Sequence, residues 1–143
     1  CYRYTRFDRY LQQARKTLQL MLSHPRMPKD LVPYWDMEAP KIPNEPRDAS
    51  SAAVIASALY ELMTLDMGHA DEYEATADRI IKSLGSKAYR PKLGEAGHFL
   101  LLHSVGSIPH DSEIDVPLNY ADYYYLEALS RKAYIDLYFQ KKK

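Results

Sequence analysis

The feature that most constrains the fold is an alternation of two kinds of helical segment along the chain. Residues 8–23 and 71–84 are amphipathic, with apolar side chains at helical spacing on one face and charged or amide side chains on the other. The predicted inward positions are Tyr10, Leu11, Ala14, Leu18, Met21 and Leu22 in the first segment, and Tyr73, Ala77, Ile80, Ile81 and Leu84 in the second. Helices of this kind cover a core on one side and meet water on the other.

The segments between and after them, residues 48–63 and 119–129, are apolar on nearly every side. Asp48 and Asn119 are suitable N-terminal caps for these segments. A helix without a polar face must be buried on nearly all sides, so we predict that both are inner helices. The two amphipathic segments also align at a constant offset of about 63 residues, a weak repeat of two helices plus loops. The order outer, inner, outer, inner predicts an all-α fold of the α/α toroid type.

Two long connections lead into the inner helices. Residues 23–48 contain six of the nine prolines, which disfavour helix, and their apolar and aromatic side chains indicate an ordered loop. Residues 92–118 form the second connection, in which residues 99–103 are predicted to form a short strand. Because both connections lead into inner helices, we expect them to meet at one end of the toroid, over its cavity.

Composition excludes several classes of function. The 19 basic residues balance the 19 acidic ones, so we expect neither nucleic acid nor a membrane as a partner. No uncharged run is long enough to span a bilayer. The lone Cys1 excludes an internal disulfide, and His24, His69 and His110 lack a mutual spacing that suggests a metal, so neither metal nor cofactor is expected. No glycine-rich phosphate loop or nucleophile elbow is present.

The two ends of the chain carry simpler expectations. The opening CYRYTRFDRY has no initiating methionine and reads as the end of one helix passing directly into another. We therefore expect the chain to be part of a longer protein. The closing KKK is expected to be a solvated tail.

Each candidate ligand-binding residue has a structural alternative. Trp35 could stack on a sugar ring or pack as a plug on the rim of the toroid. His103 could contact a ligand or be a satisfied core histidine. Ser104 and Ser107 could donate to a ligand or form turns beside Gly106.

The carboxylates near the two connections also have structural roles open to them. Asp48 is predicted chiefly as a helix cap, and Glu113 and Asp115 as charges that favour the N-terminus of the following helix. Taken together, however, aromatic, hydroxyl, imidazole and carboxylate groups collect at one end of the toroid. Aromatic faces stack on sugar rings while hydroxyl groups fix their orientation, so the sequence favours a saccharide ligand.

Three stretches in this order, YWD, NEPRDASSAA and SEIDVPLNYADYY, resemble the unsaturated glucuronyl hydrolases, and the similarity runs over essentially the whole chain. The resemblance implies an (α/α)6 barrel of twelve helices in a protein more than twice this length. Residues 1–143 would then be the C-terminal portion of a single barrel domain.

The resemblance also implies an activity. Members of this family release a 4,5-unsaturated uronic acid from oligosaccharides left by polysaccharide lyases. An aspartic acid protonates the vinyl ether double bond, water adds at C5, and the resulting hemiketal collapses. The key aspartates of the family lie in the first half of the barrel, so no catalytic residue is assigned here, and we expect this chain alone to be inactive.

For substrate contact, the resemblance indicates the loop before the last helix. Some members use a Ser-x-x-Ser-x-Lys stretch there to receive a sulfate on the neighbouring amino sugar. Here Ser104 and Ser107 match, whereas Pro109 stands in place of the lysine. We predict Ser104, Ser107, His103 and Trp35 as substrate-binding residues for an unsaturated glycosaminoglycan-type oligosaccharide. Two alternatives are an unsaturated rhamnogalacturonyl hydrolase and a non-catalytic helical-repeat interaction module.

Overall fold

A computed structural model describes the backbone of residues 1–140 and the side chains of residues 1–137. The expected lysine tail, residues 141–143, lies outside the described residues. Five α-helices and two β-strands are present in the described part: α1 Tyr2–Thr5, α2 Asp8–Leu22, α3 Ala49–Leu65, α4 Ala70–Leu84, β1 Ser104–Ser107, β2 Ser112–Val116 and α5 Asn119–Gln140. Within this part, no helix is long and apolar enough to cross a membrane.

Helix α3 is the centre of the bundle, because α4 and α5 both pack along it. Eleven of its residues are buried, including the large side chains of Leu59 and Tyr60. Asp48 caps it by accepting a hydrogen bond from Ser50 N, at 3.0 Å. The prediction of a buried inner helix is confirmed. The exceptions are Val54, which is 39% exposed on the side that faces α2, and Thr64 near the end of the helix.

Helices α2 and α4 are the amphipathic helices that the sequence predicts. The apolar face of α4 buries Tyr73, Ala77, Ile80 and Leu84. Helix α2 is less deeply covered, with Leu18 its one buried residue among the described side chains. The expected passage of one helix directly into another is also present, because α1 ends at Thr5, Arg6 turns in the left-handed conformation, and α2 begins at Asp8.

Helix α5 departs from the prediction of burial on nearly all sides. Its buried residues, Ala121, Tyr125, Ala128 and Ile135, face α3 and the core. The opposite side is exposed, with Tyr123 at 60% and Leu126 at 52%. The burial prediction is therefore wrong for half of this helix, because only one of its sides meets packed helices in the described part of the chain.

The predicted strand at residues 99–103 is also wrong. Leu100 N and Leu101 N donate to the carboxylate of Asp122 on α5, and Leu102 N donates to Tyr89 O. These three N–H groups therefore bond to α5 and to Tyr89, and not to a neighbouring strand. The strands lie immediately after it, where β1 and β2 pair as an antiparallel hairpin. A short 3₁₀ turn, Ile108–His110, connects them.

Candidate functional site

The two long connections meet at the N-terminus of α3, as the sequence predicts. Ala49 N donates to His103 O at 2.9 Å, and Val105 N donates to a carboxylate oxygen of Asp48 at 3.3 Å. The first connection is held in turn by Asp48 N, which donates to Pro33 O at 2.8 Å. The β-hairpin therefore lies over the start of the central helix, and we call this end of the bundle the mouth.

Asp48 is a structural residue at the centre of the mouth. Its side chain is 7% exposed. Besides capping α3, it accepts hydrogen bonds from Ser50 Oγ at 2.6 Å and from Ser51 Oγ at 2.5 Å. Together with the bond from Val105, the carboxylate accepts four hydrogen bonds, three at Oδ1 and one at Oδ2. The predicted cap is confirmed, and the same carboxylate also anchors the hairpin.

His103 is not a buried core histidine, since its side chain is 42% exposed. Its Nδ1 lies 2.6 Å from Asp115 Oδ1 across the base of the hairpin. The ring of Tyr89 meets the imidazole edge-on, with centroids 6.3 Å apart. Asp115 was expected only as a charge near the start of α5, and its pairing with His103 had no signal in the sequence because the hairpin register was not predicted.

The two serines of the hairpin have different environments. Ser107 is half-buried near the hairpin tip, and its Oγ lies 2.7 Å from His110 Nδ1. Ser104 is fully buried at the base, and its Oγ has no hydrogen-bond partner among the described residues. A hydroxyl that water cannot reach cannot contact a sugar, so this placement contradicts the prediction of a direct contact for Ser104.

Trp35 is half-buried in the proline-rich connection and is held within it. Its Nε1 donates to Glu45 Oε2 at 3.0 Å, while Lys41 N donates to the other oxygen of the same carboxylate, also at 3.0 Å. Its own backbone N donates to Pro46 O at 3.1 Å. The predicted order of this loop is confirmed. The hydrogen bonds described for Trp35 join it to its own loop and none joins it to the hairpin.

A groove with a volume of about 790 Å³ runs from the mouth along α3 towards α1 and α2. Apolar side chains of α2 and α3 line most of it, and Ser50, Ser51 and Tyr120 form its polar end beside Asp48. Burial raises the pKa of the Tyr120 hydroxyl, and the carboxylates of Asp48 and Glu113 act in the same direction. Tyr120, at the start of α5, was not singled out from the sequence because it belongs to a run of similar tyrosines.

At the other end of α3, charged side chains link three helices. Arg3 of α1 lies 2.8 Å from Glu61 of α3, and Glu61 lies 3.0 Å from Arg131 of α5. Arg131 also contacts Glu127 at 3.2 Å and donates to the carbonyl of Ser57 at 2.6 Å. This ion-pair chain fixes the spacing of α1, α3 and α5 below the groove.

The hairpin and the start of α5 carry no lysine or arginine side chain. Residues 93–130 contain six acidic residues and neither lysine nor arginine. Among the described residues, no cluster of His, Cys, Asp and Glu side chains is arranged to hold a metal ion. The mouth thus offers hydroxyl, imidazole and carboxylate groups, which suit hydrogen bonding to a polyhydroxylated ligand.

No protein-family model matches the chain. Individual proteins, however, are similar to it in sequence and structure. Over 131 residues the chain is 47% identical to the unsaturated glucuronyl hydrolase of Formosa agariphila, covering 92% of this chain and 32% of that protein. It also superposes on a crystal structure of an unsaturated glucuronyl hydrolase specific for heparin, with a TM-score of 0.89 and 46% identity, covering 94% of this chain and 36% of that one. This chain belongs to the unsaturated glucuronyl hydrolase family.

The chain spans about a third of the length of these family members, in their C-terminal part. A further family structure, from Streptococcus agalactiae and complexed with dGlcA-GalNAc6S, has a TM-score of 0.79 and 28% identity, covering 91% of this chain and 34% of that one. Unsaturated glucuronyl hydrolases are α/α barrels, and the fold described here is a partial barrel of that kind. Neither the rhamnogalacturonyl hydrolase nor the helical-repeat module is supported.

Proposed function

We propose that this chain is the C-terminal part of a glycoside hydrolase that releases 4,5-unsaturated uronic acid from lyase-generated oligosaccharides. The observation that carries the proposal is the close superposition, at 46% identity, on an unsaturated glucuronyl hydrolase over nearly the whole chain. Residues 1–143 would form one continuous portion of a single barrel domain. The oligosaccharide would be of the glycosaminoglycan type, as in the family complex with dGlcA-GalNAc6S.

The proposed reaction is hydration of the vinyl ether double bond. A carboxylic acid donates its proton to C4 of the unsaturated ring, and water adds to C5 while losing a proton. The C5 hemiketal that forms then opens to a ketone and leaves a hemiacetal at C1. The hemiacetal collapses to an aldehyde, which breaks the bond from C1 to the glycosidic oxygen, and that oxygen takes a proton as the neighbouring sugar leaves. This differs from acetal hydrolysis between two flanking carboxylates.

We do not assign the proton donor to this chain. A general acid needs a carboxyl group that is free to hold a proton and face the substrate. Asp48 accepts four hydrogen bonds from its own surroundings, and Asp115 is paired with His103. We propose that the remainder of the barrel supplies the acid, and that this chain contributes one wall of the substrate cavity.

The substrate contacts that we propose lie on the mouth. Ser107 and His103 present hydrogen-bonding groups from the hairpin, and Trp35 presents a half-exposed ring from the first connection. Ser104 lies buried at the base of the hairpin. Since Pro109 stands where some family members have a lysine, and residues 93–130 contain neither lysine nor arginine, the hairpin itself lacks the cation that would attract a sulfate.

The test is the near-ultraviolet absorbance of an unsaturated disaccharide, since the double bond absorbs and its hydration product does not. The full-length protein is mixed in turn with unsulfated chondroitin, 6-sulfated chondroitin and heparin disaccharides. We expect absorbance to fall with at least one of them, and no fall with any would overturn the proposal. With the 143-residue chain we expect no fall; a steady fall would place the acid within it and make Asp48 and Asp115 the first residues to replace.

A further inference from the structure

His103 and Asp115 face each other across the base of the hairpin in an uncommon backbone conformation. Their φ angles are 62° and 54°, in the left-handed region that residues other than glycine rarely adopt. Their side chains join through His103 Nδ1 and Asp115 Oδ1, 2.6 Å apart. Two residues in this conformation, which Asp111 and Glu113 of the same hairpin share, are thus held in register so that one carboxylate meets one ring nitrogen.

Stability of the fold is a poor explanation for this arrangement. Both side chains are about half exposed, at 42% and 53%, and exposed ion pairs contribute little to stability. The backbone strain at both positions works against folding. An observed conformational outlier of this kind is common where a side chain must be held for a ligand.

The imidazole of His103 has two contacts that orient it: Asp115 holds Nδ1, and the ring of Tyr89 lies edge-on to it. The backbone carbonyl of His103 accepts from Ala49 N at 2.9 Å. This bond ties the backbone of His103 to the N-terminus of α3, the most buried helix of the bundle. Nε2 has no hydrogen-bond partner among the described residues, so it is the atom left for a ligand.

The carboxylate of Asp115 also decides which nitrogen of the His103 ring carries the proton. An ionised carboxylate only accepts hydrogen bonds, so Asp115 requires the proton of a neutral imidazole to sit on Nδ1. Nε2 then carries a lone pair and accepts a hydrogen bond. The donors that a saccharide offers in this position are its hydroxyl groups.

We infer that Asp115 is a positioning residue that fixes the His103 ring with Nε2 as an acceptor for a hydroxyl group of the oligosaccharide at the mouth. This inference rests on the proposed function, because the hydroxyl belongs to its substrate. Asp115 acts only through His103 and does not itself contact the sugar.

The test begins with the full-length protein and a disaccharide that it converts. If the wild type converts none, the proposed function fails before this inference is reached. Asp115→Asn is the informative change, since asparagine tolerates the left-handed conformation but its amide group can donate to Nδ1 and so permit the wrong tautomer. Asp111→Asn is the matched control, at a residue of the same hairpin with φ of 50°.

We expect Asp115→Asn to lower kcat/KM about tenfold, the effect of losing roughly one hydrogen bond to the substrate, and Asp111→Asn to leave it unchanged. His103→Asn should lower it by a similar factor. In the His103→Asn background, Asp115→Asn should cause no further loss, because a positioning residue has nothing left to position. Independent, multiplying losses in the double variant would overturn the inference.

A spectroscopic readout separates positioning from a general effect on folding. With 15N-labelled histidine, the wild type should show His103 protonated at Nδ1, and Asp115→Asn should move that proton towards Nε2. The thermal midpoint should remain that of the wild type. An unchanged tautomer in Asp115→Asn, or a wild-type ring protonated at Nε2, would overturn the assignment whatever the kinetics show.

Discussion

Asp66, at the end of α3, receives both prongs of the Arg15 guanidinium of α2: Nε lies 2.6 Å from Oδ2, and Nη2 lies 2.5 Å from Oδ1. Tyr73 of α4 donates its hydroxyl to Oδ2 at 2.7 Å. The Asp66 side chain is only 5% exposed. One buried carboxylate therefore joins three helices at the end of the bundle opposite the mouth.

Replacing Asp66 should destabilise the bundle. In Asp66→Ala the buried hydroxyl of Tyr73 loses its acceptor and Arg15 loses its partner, so we expect the free energy of unfolding to fall by about 2 kcal/mol. Urea denaturation measures it. Asp71→Ala, on the exposed side of the first turn of α4, should cost about 0.5 kcal/mol. Equal losses in the two variants would contradict a special role for Asp66.

The carboxylate of Asp66 also makes the free energy of unfolding depend on pH. The hydrogen bonds from Arg15 hold the pKa of Asp66 well below its usual range. In the unfolded chain that pKa returns to about 4, so its stabilising contribution is present above that pH and declines as the pH falls further. The difference in unfolding free energy between wild type and Asp66→Asn should therefore be smaller at pH 3 than at pH 6. If the difference between wild type and Asp66→Asn grew as the pH fell, the prediction would be contradicted.

Gly106 is expected to tolerate no side chain. A Cβ atom there would lie 2.1 Å from Glu113 Oε2 and 2.8 Å from Glu113 Cβ. We expect Gly106→Ala to cost about 2 kcal/mol of hairpin stability through overpacking, seen as faster amide exchange at Val105 and Ile114. Gly68→Ala is the control, because nothing lies within 4 Å of its added Cβ. Glu113→Gly should restore exchange rates in the Gly106→Ala background, since Glu113 has a φ of 55° that glycine adopts freely.

Replacing each of the two hairpin serines with alanine should have different effects on activity and stability. Ser104→Ala removes a buried hydroxyl that lacks a described partner, so it should leave kcat/KM unchanged and raise stability by up to about 1 kcal/mol. Ser107→Ala removes an accessible hydroxyl and should lower kcat/KM by about three- to tenfold. Activity with each disaccharide and the thermal midpoint measure both effects. A loss of activity in Ser104→Ala at wild-type stability would restore Ser104 as a contact residue.

The helices were predictable because their signals are local. The apolar spacing in α2 and α4 and the uncharged surface of α3 set their roles, and Asp48 marks where α3 begins. The placement of both connections at one end was predictable because each connection leads from an outer helix into an inner one. Burial of α5 on every side was overestimated because composition alone does not say which neighbour covers each face.

The details of the mouth depend on pairings between distant residues. The apolar run at residues 99–103 has the composition of a strand, but its amide groups are taken by Asp122 and Tyr89. The hairpin then forms from the polar residues that follow. His103 was expected as a candidate ligand contact, whereas its link to Asp115 depends on the register of that hairpin, which no local pattern in the sequence specifies.

The attachment of the hairpin to the start of α3 also has a consequence for the order of folding. Val105 and Asp48 are 57 positions apart, and closing so long a loop is slow compared with forming helices. Helical segments should therefore form before the hairpin reaches its place on α3. During refolding, far-ultraviolet circular dichroism would recover early, while the surface that we propose for a sugar would assemble later.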